Sequence, residues 1–253
     1  MKYGYLNVGV VEQGPAELLG RTVFTLYPHQ SAFVVPADSV TAVPDGVPSR
    51  RAVLAGAVET AVNVLWDAAP VLGDRISVVG AGMIGCCVAR LAHGIPGVDV
   101  TLVDLDPSRR SVAERLGVAF AEPDAAPHDR DLVINTSGSD AGLRLALETA
   151  ITDGEVIEAS WYADRPVTLA LGADFHSRRL TIRASQVGAV SSRRRATRTT
   201  RDRLALALEL LRDPAFDALL TAESSWRDLP DVMTTLAAGP SSDLCHTIDW
   251  GDA

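Results

Sequence analysis

The sequence predicts an α/β protein: a doubly wound parallel sheet beside a smaller, mostly β unit. Three observations carry that expectation. From Asp74 onward, short apolar runs alternate with helical segments, the pattern of a mostly parallel sheet covered on both faces. A Gly-x-Gly-x-x-Gly loop joins the first of those runs to the first of those helices. Residues 1–50 break instead into β-branched pieces punctuated by Pro and Gly, as short strands do.

In chain order, Leu6–Glu12, Thr22–Tyr27 and Ser31–Val35 read as strands separated by Gly14-Pro15, Pro28 and Pro36. Pro44-Asp45-Gly46 makes a turn, and Ser49 is placed to cap an Ala/Val-rich helix over Ala52–Trp66. Ile76–Val79 is the first strand of the sheet, and a helix over Ile84–His93 follows the glycine loop. Val98–Val103 is the second strand, followed by a helix over Pro107–Leu116 with Asp106 as cap and Pro107 at its first position. Val118–Phe120, Leu132–Asn135, Glu155–Ala159 and Leu180–Arg183 complete six strands, with a helix over Ala141–Ala150. Beyond Ser191, the pattern gives helices over Arg203–Leu211 and Asp228–Ala238 and a last strand over Leu244–Trp250. The expected domains are 1–50, 51–200 and 201–253, the last returning to the first.

The composition excludes several classes. The chain is 47% hydrophobic and 22% charged, enough apolar content to fill a core and too much for global disorder. Its net charge of -9 argues against sequence-independent nucleic-acid binding. No apolar run is long enough for a membrane helix, and no secretory signal follows Met1, so a cytoplasmic protein is expected. Cys86, Cys87 and Cys245 form neither a disulfide framework nor a CxxC zinc signature. Cys86 and Cys87 read as small buried apolar groups on a helix. Lys2 is the only lysine, which leaves a Schiff-base mechanism almost nowhere to sit.

The informative motif is Gly80-Ala81-Gly82-Met83-Ile84-Gly85, directly after one strand and before one helix. Gly80 suits the tight turn, Gly82 lets backbone approach a pyrophosphate, and Gly85 lets the helix pack close to the strand. The N–H groups at the start of that helix then face phosphate charge. Asp104 ends the second strand about 20 residues further on, where a carboxylate accepts hydrogen bonds from ribose hydroxyls. Two other readings of this pair stand beside it: Asp104 capping a turn toward Asp106, and the adenosine-binding loop of a methyltransferase.

With these residues in place, the chain resembles the zinc-type alcohol dehydrogenase branch of the medium-chain dehydrogenase/reductase family. The matching pieces run in family order: Gly4-Tyr5-Leu6-Asn7-Val8-Gly9-Val10-Val11, Gly20-Arg21-Thr22-Val23, Val43-Pro44-Asp45-Gly46-Val47 and Glu59-Thr60-Ala61. Gly80–Gly85, Asp104, Ser137-Gly138, Leu204–Leu211, Leu229-Pro230 and Ile248 follow. The resemblance implies a Rossmann dinucleotide-binding domain and a partial GroES-like substrate domain. It also departs from the family. The opening stretch with one zinc ligand has no counterpart, Tyr5 stands where a ligand histidine is usual, and Gly56 stands at the third ligand position. The four-cysteine zinc lobe is missing too. The resemblance thus implies a shortened, zinc-free member with no metal ligands.

Carried over from the family, Thr60 would sit near the nicotinamide, and Ser137 and Gly138 would line the loop after the fourth strand. Ser160, Trp161 and Tyr162 follow the fifth strand at the mouth where cofactor and substrate meet, and Trp161 and Tyr162 read equally as shaping the pocket or closing the sheet edge. Without a metal, reduction needs a separate proton donor, and Tyr5 and His29 are the candidates; both are equally readable as ordinary packed or surface residues. Arg109 stands near Asp104 as a possible phosphate partner, with Met83 and Ile84 at the helix start. Arg193, Arg194, Arg195, Arg198, Arg201 and Arg203 form a basic cluster, either a solvated loop or an anion site. His128 and His246 have no visible constellation. The expected activity is zinc-independent hydride transfer between NAD(H), ahead of NADP(H), and an alcohol/carbonyl pair on a small molecule. The alternatives are quinone or enoyl reduction and a non-catalytic dinucleotide-binding protein. A homodimer is expected, formed through the last strand near Leu180–Gln186.

Overall fold

The computed structural model describes residues 4–172, 174–239 and 242–251; Lys2 lies outside them. The chain divides into two compact units, one of residues up to Val58 and from Leu204 onward, the other Glu59–Arg203.

In the first unit, β1 (Leu6–Val10), β2 (Thr22–Leu26) and β3 (Val40–Ala42) form an antiparallel sheet in that order. The expected strand over Ser31–Val35 does not form. Pro28 and Pro36 bracket the segment and remove ladder donors, and the Tyr27 and Phe33 rings stack with centroids 4.5 Å apart. The free edge of β2 pairs instead with β3, Val23 opposite Ala42. The helix expected from Ser49 is split into α1 (Ser49–Ala52) and α2 (Ala55–Ala68). Pro48 takes the cap position and Ser49 caps nothing; at the junction Leu54 N donates to Arg51 O at 3.1 Å, a tight turn that interrupts the α ladder. Arg51 is buried there, bidentate to Asp217 at 2.7 Å on both oxygens, and it donates to the Leu211 carbonyl at 3.1 Å.

The second unit is built on a six-stranded parallel sheet. Its elements are β4 (Arg75–Val79), α3 (Met83–His93), β5 (Asp99–Val103), α4 (Arg109–Leu116), β6 (Ala119–Ala121), β7 (Arg130–Asn135), α5 (Asp140–Thr149), β8 (Ala150–Glu158), α6 (Asp174–Ser177) and β9 (Thr181–Ala184). The spatial order β6-β5-β4-β7-β8-β9 is that of a doubly wound sheet, two three-stranded halves related by an approximate two-fold axis between β4 and β7. Ile76, Val78, Leu102, Val133, Ile134, Val156 and Ile157 are buried, the near-continuous apolar composition of strands covered on both faces. Helix α4 begins at Arg109 rather than Pro107, because Asp106 closes a turn first: its Oδ1 accepts from Ser108 N at 3.0 Å. Cys86 and Cys87 are buried on α3, and burial pushes the Cys86 thiol up to about 12.

Helix α7 (Thr200–Leu210) begins in this unit, and it corrects the reading of the basic cluster. Arg203 is buried, paired with Glu59 at 3.0 Å, with Asn63 Oδ1 at 2.6 Å and with the Val187 carbonyl at 2.6 Å. It is a core residue, while Arg193, Arg194, Arg195 and Arg198 remain exposed. Back in the first unit, β10 (Leu220–Ser225) precedes α8 (Leu229–Ala237) and pairs in parallel with β11 (Cys245–Asp249). The strand β10 has no apolar alternation, so it was not expected from the sequence. Among the described residues no helix is long and apolar enough to cross a membrane.

One surface ion pair makes the acid response of the sheet testable. Arg75 binds Asp131 through Nε and Nη2 at 2.9 and 3.0 Å, and that guanidinium holds the carboxyl at about 2 against an ordinary 3.8. A depressed folded-state pKa contributes stability above the ordinary value and loses it as pH falls through the folded one. The stability gap between the natural chain and Asp131→Asn should therefore be constant above about pH 4 and close toward about pH 2. Urea unfolding across that range measures it; a gap independent of pH would contradict the pairing.

Candidate functional site

The site grows out of the end of β4. Gly80 turns the chain at φ +104, a region that disfavours side chains, and a Cβ there would come 2.7 Å from Ser137 N. Gly85 lies still closer: a Cβ would stand 1.8 Å from the Gly80 carbonyl oxygen and 2.6 Å from Thr136 Oγ1. Helix α3 can start beside β4 only because Gly85 has no side chain. Gly82 is different. It occupies the cap position of α3 in extended backbone, no side chain caps the helix, and a Cβ would meet nothing within 4 Å. The open space before an uncapped helix N-terminus, at Gly82, Met83 and Ile84, suits an anion such as pyrophosphate.

Asp104 stands at the end of β5, half-buried, with Oδ2 accepting from Ala81 N at 2.6 Å and Oδ1 from Asp106 N at 2.8 Å. The carboxylate is thereby fixed against the glycine loop, and a carboxylate has about four acceptor positions, so two remain for ribose hydroxyls. The turn-capping reading of Asp104 is thus realised, and it leaves acceptor positions of the carboxylate open. Arg109 pairs with Asp106, its Nε 3.4 Å from Oδ2. Arg110 lies over the Phe120 ring at 4.9 Å.

On the other side of β4, the ends of β7 and β8 carry a polar network. Buried Asn135 donates through Nδ2 to Glu158 Oε2 at 2.7 Å and to Tyr162 OH at 3.1 Å, and Tyr162 OH donates to Glu158 Oε2 at 3.1 Å. Burial and the Glu158 charge push the Tyr162 phenol up to about 12, so it stays a neutral donor. Asn135 Oδ1 accepts from Ser137 Oγ at 2.8 Å, and Gly138 N donates to Ser160 Oγ at 3.0 Å. Ser137, Gly138 and Ser160 are thus brought together beside the glycine loop. Trp161 is 89% exposed, which puts it outside the packed network. Sequence reading did not single out Asn135 and Glu158; a carboxylate ending the apolar run Val156–Ile157 was the signal available.

Thr60 is half-buried on α2, in the same unit as the loop. Tyr5 and His29 belong to the other unit. Tyr5 is 64% exposed, its carbonyl accepting from Tyr27 N at 2.9 Å. His29 packs its ring against Gly4, where a Cβ would overlap it, and burial lowers its pKa despite a backbone hydrogen bond with Leu6. The two candidate proton donors therefore share one end of the small sheet. At Gly56 the place of a side chain is occupied by Leu6, whose Cδ2 would lie 2.7 Å from a Cβ. Among the described residues no three His, Cys, Asp or Glu side chains gather as a metal site requires. His246 has a local partner after all, with Nε2 2.9 Å from Ser224 Oγ.

The two inner glycines should respond differently to substitution. Gly85→Ala should lower the melting temperature, because backbone at Gly80 must move; an overpacked core position costs about 1–3 kcal/mol. Gly82→Ala should leave the melting temperature within error while weakening dinucleotide binding, since only the approach of the ligand is obstructed. Thermal unfolding combined with a binding titration separates them; a large loss of stability in Gly82→Ala would refute the assignment of that glycine.

No protein-family model matches the chain. Among curated proteins it is similar to L-threonine 3-dehydrogenase of Mesorhizobium japonicum, 31% identical over 119 residues covering 44% of this chain. It is also similar to L-galactonate-5-dehydrogenase of Escherichia coli, 33% identical over 96 residues and 38% of this chain. These matches span only 33% and 28% of those proteins' lengths. Among solved structures, L-idonate 5-dehydrogenase of Escherichia coli superposes with a TM-score of 0.77 at 15% identity, covering 95% of this chain and 79% of that one. Alcohol dehydrogenase TADH of Thermus sp. ATN1 gives 0.76 at 19% identity, covering 97% and 84%. The parallel sheet and the small antiparallel sheet are those of the alcohol dehydrogenase fold. The chain thus shares the alcohol dehydrogenase fold and is similar in sequence to these dehydrogenases over about a third of their length.

Proposed function

We propose that this chain is a nicotinamide-dinucleotide oxidoreductase acting on an alcohol/carbonyl pair, without zinc and with NAD(H) preferred. The observation that carries the reading is Asp104, pinned by Ala81 N and Asp106 N at the end of β5 and facing the space before α3. The dinucleotide, when bound, supplies or accepts the hydride. Gly80, Gly82 and Gly85 shape the phosphate approach, with Met83 and Ile84 at the helix start. Asp104 orients the adenosine ribose, and Ser137, Gly138, Ser160 and Thr60 lie toward the other half. Tyr5 and His29 are the proposed proton donors; burial favours the neutral imidazole of His29, which accepts the proton when the alcohol is oxidised and, once protonated, returns it when the carbonyl is reduced. That the relatives are named dehydrogenases of threonine, galactonate and idonate supports a hydroxyl-bearing small-molecule substrate. Acetophenone reductase of Geotrichum candidum, in complex with NAD, superposes with a TM-score of 0.68 at 23% identity, covering 93% of this chain and 64% of that one.

Asp104 should repel a 2′-phosphate, so NADH should bind about tenfold more tightly than NADPH, a difference of about 1.4 kcal/mol. Asp104→Ser should narrow or reverse that preference. Fluorescence titration with both reduced cofactors tests it, and equal affinities in the unmodified chain would overturn the assignment.

The zinc-free reading rests on Tyr5 and Gly56 at the positions of two usual ligands, and on Leu6 filling the space beside Gly56. Purified protein should hold no stoichiometric zinc by elemental analysis. One zinc per chain surviving dialysis against chelator would show that other side chains bind the metal.

A homodimer is part of the proposal. Strand β9 is an outer strand of the parallel sheet, and an open edge is a ready template for pairing with a second copy. Sedimentation should give twice the 26.8 kDa chain mass at micromolar concentration; the single-chain mass would count against the dimer.

A further inference from the structure

Glu158 has no role in the account above, yet it repeats the surroundings of Asp104. Each carboxylate closes the second strand of its half of the sheet, β5 for Asp104 and β8 for Glu158. Each accepts from the backbone N–H two residues ahead: Asp104 Oδ1 from Asp106 N at 2.8 Å, and Glu158 Oε1 from Ser160 N at 2.8 Å. Each turns its other oxygen to the first strand of its half. Asp104 Oδ2 takes Ala81 N, just past β4, and Glu158 Oε2 takes Asn135 Nδ2, at the end of β7.

Register makes the likeness closer. Val79, Asn135 and Glu158 lie in one row across the sheet, and Val103 pairs with Val79 in the same row. Asp104 stands one residue beyond, so the two side chains leave opposite faces of the sheet. A two-fold axis running along the strands between β4 and β7 requires that of equivalent groups. The extra methylene of Glu158 makes up part of the one-residue difference in height. No cation pairs with Glu158 among the described residues, and its three donors leave about one acceptor position open.

We propose that Glu158 is the counterpart of Asp104 in the second half of the site, accepting a hydrogen bond from the ribose that carries the nicotinamide. Asn135 and Tyr162 hold its carboxylate in place as positioning residues. This inference rests on the dinucleotide reading above, and the two can fail separately.

The test uses three ligands on the full chain. ADP carries only the adenosine ribose, ADP-ribose adds the second ribose, and NADH adds the nicotinamide. Glu158→Gln should weaken ADP-ribose and NADH by about tenfold each, the scale of one hydrogen bond to a charged group, and leave ADP unchanged. Asp104→Asn should weaken all three. Tyr162→Phe should weaken ADP-ribose by a smaller factor with ADP again unchanged, and unchanged ADP binding reports an intact fold in each variant. If Glu158→Gln leaves ADP-ribose untouched, or weakens ADP equally, the proposal is overturned. Failure of the unmodified chain to bind any of the three would overturn the dinucleotide reading itself, and this proposal with it.

Discussion

The close approach of α3 to the end of β4 is the constraint on which the candidate site depends. With Gly85 virtually touching the Gly80 carbonyl and Gly80 pressed against Ser137 N, three chain segments converge within a few ångströms. Thr136 reinforces the junction, its Oγ1 donating to Gly80 O at 2.9 Å and its N to Val79 O at 2.8 Å. Nothing but backbone fits there. A larger residue at either glycine would push the helix away and take the open helix terminus with it.

From that junction the polar groups fan out in opposite directions. Asp104 lies toward β5 and β6, whereas Asn135, Glu158, Tyr162 and Ser160 lie toward β7 and β8. The strands beneath are largely apolar and buried, and the polar groups of this network stand at their ends. Positions are held by short bonds to backbone N–H groups, which do not swing as side chains do. This is how a sheet built for burial presents a fixed row of acceptors at one edge.

Charge is handled differently in the interior. Arg51 and Arg203 are both buried, and each satisfies its guanidinium with one carboxylate and several carbonyl or amide oxygens. Removing a partner from such a pair leaves an uncompensated buried charge, which is costlier than the pair's net worth. Within the first unit, Arg51 thereby fixes the short helix α1 to the chain near Leu211 and Asp217. Within the second, Arg203 fixes the start of α7 to α2.

The sequence by itself determined the strands and helices of the parallel sheet, because apolar runs bounded by Gly and Asp admit few other structures. It also determined the glycine loop and Asp104, since spacing along the chain is what a strand–turn–helix needs. Only the tertiary structure decided that β3 rather than Ser31–Val35 completes the small sheet, where two prolines remove the necessary donors. Only it revealed β10, whose polar residues gain strand geometry from pairing with β11 rather than from any pattern of their own. The same holds for Arg203, which in sequence is one arginine among many and in space meets Glu59, 144 residues away. Asn135 and Glu158 became a pair for the same reason: register across neighbouring strands, which no local stretch of sequence records, sets them side by side.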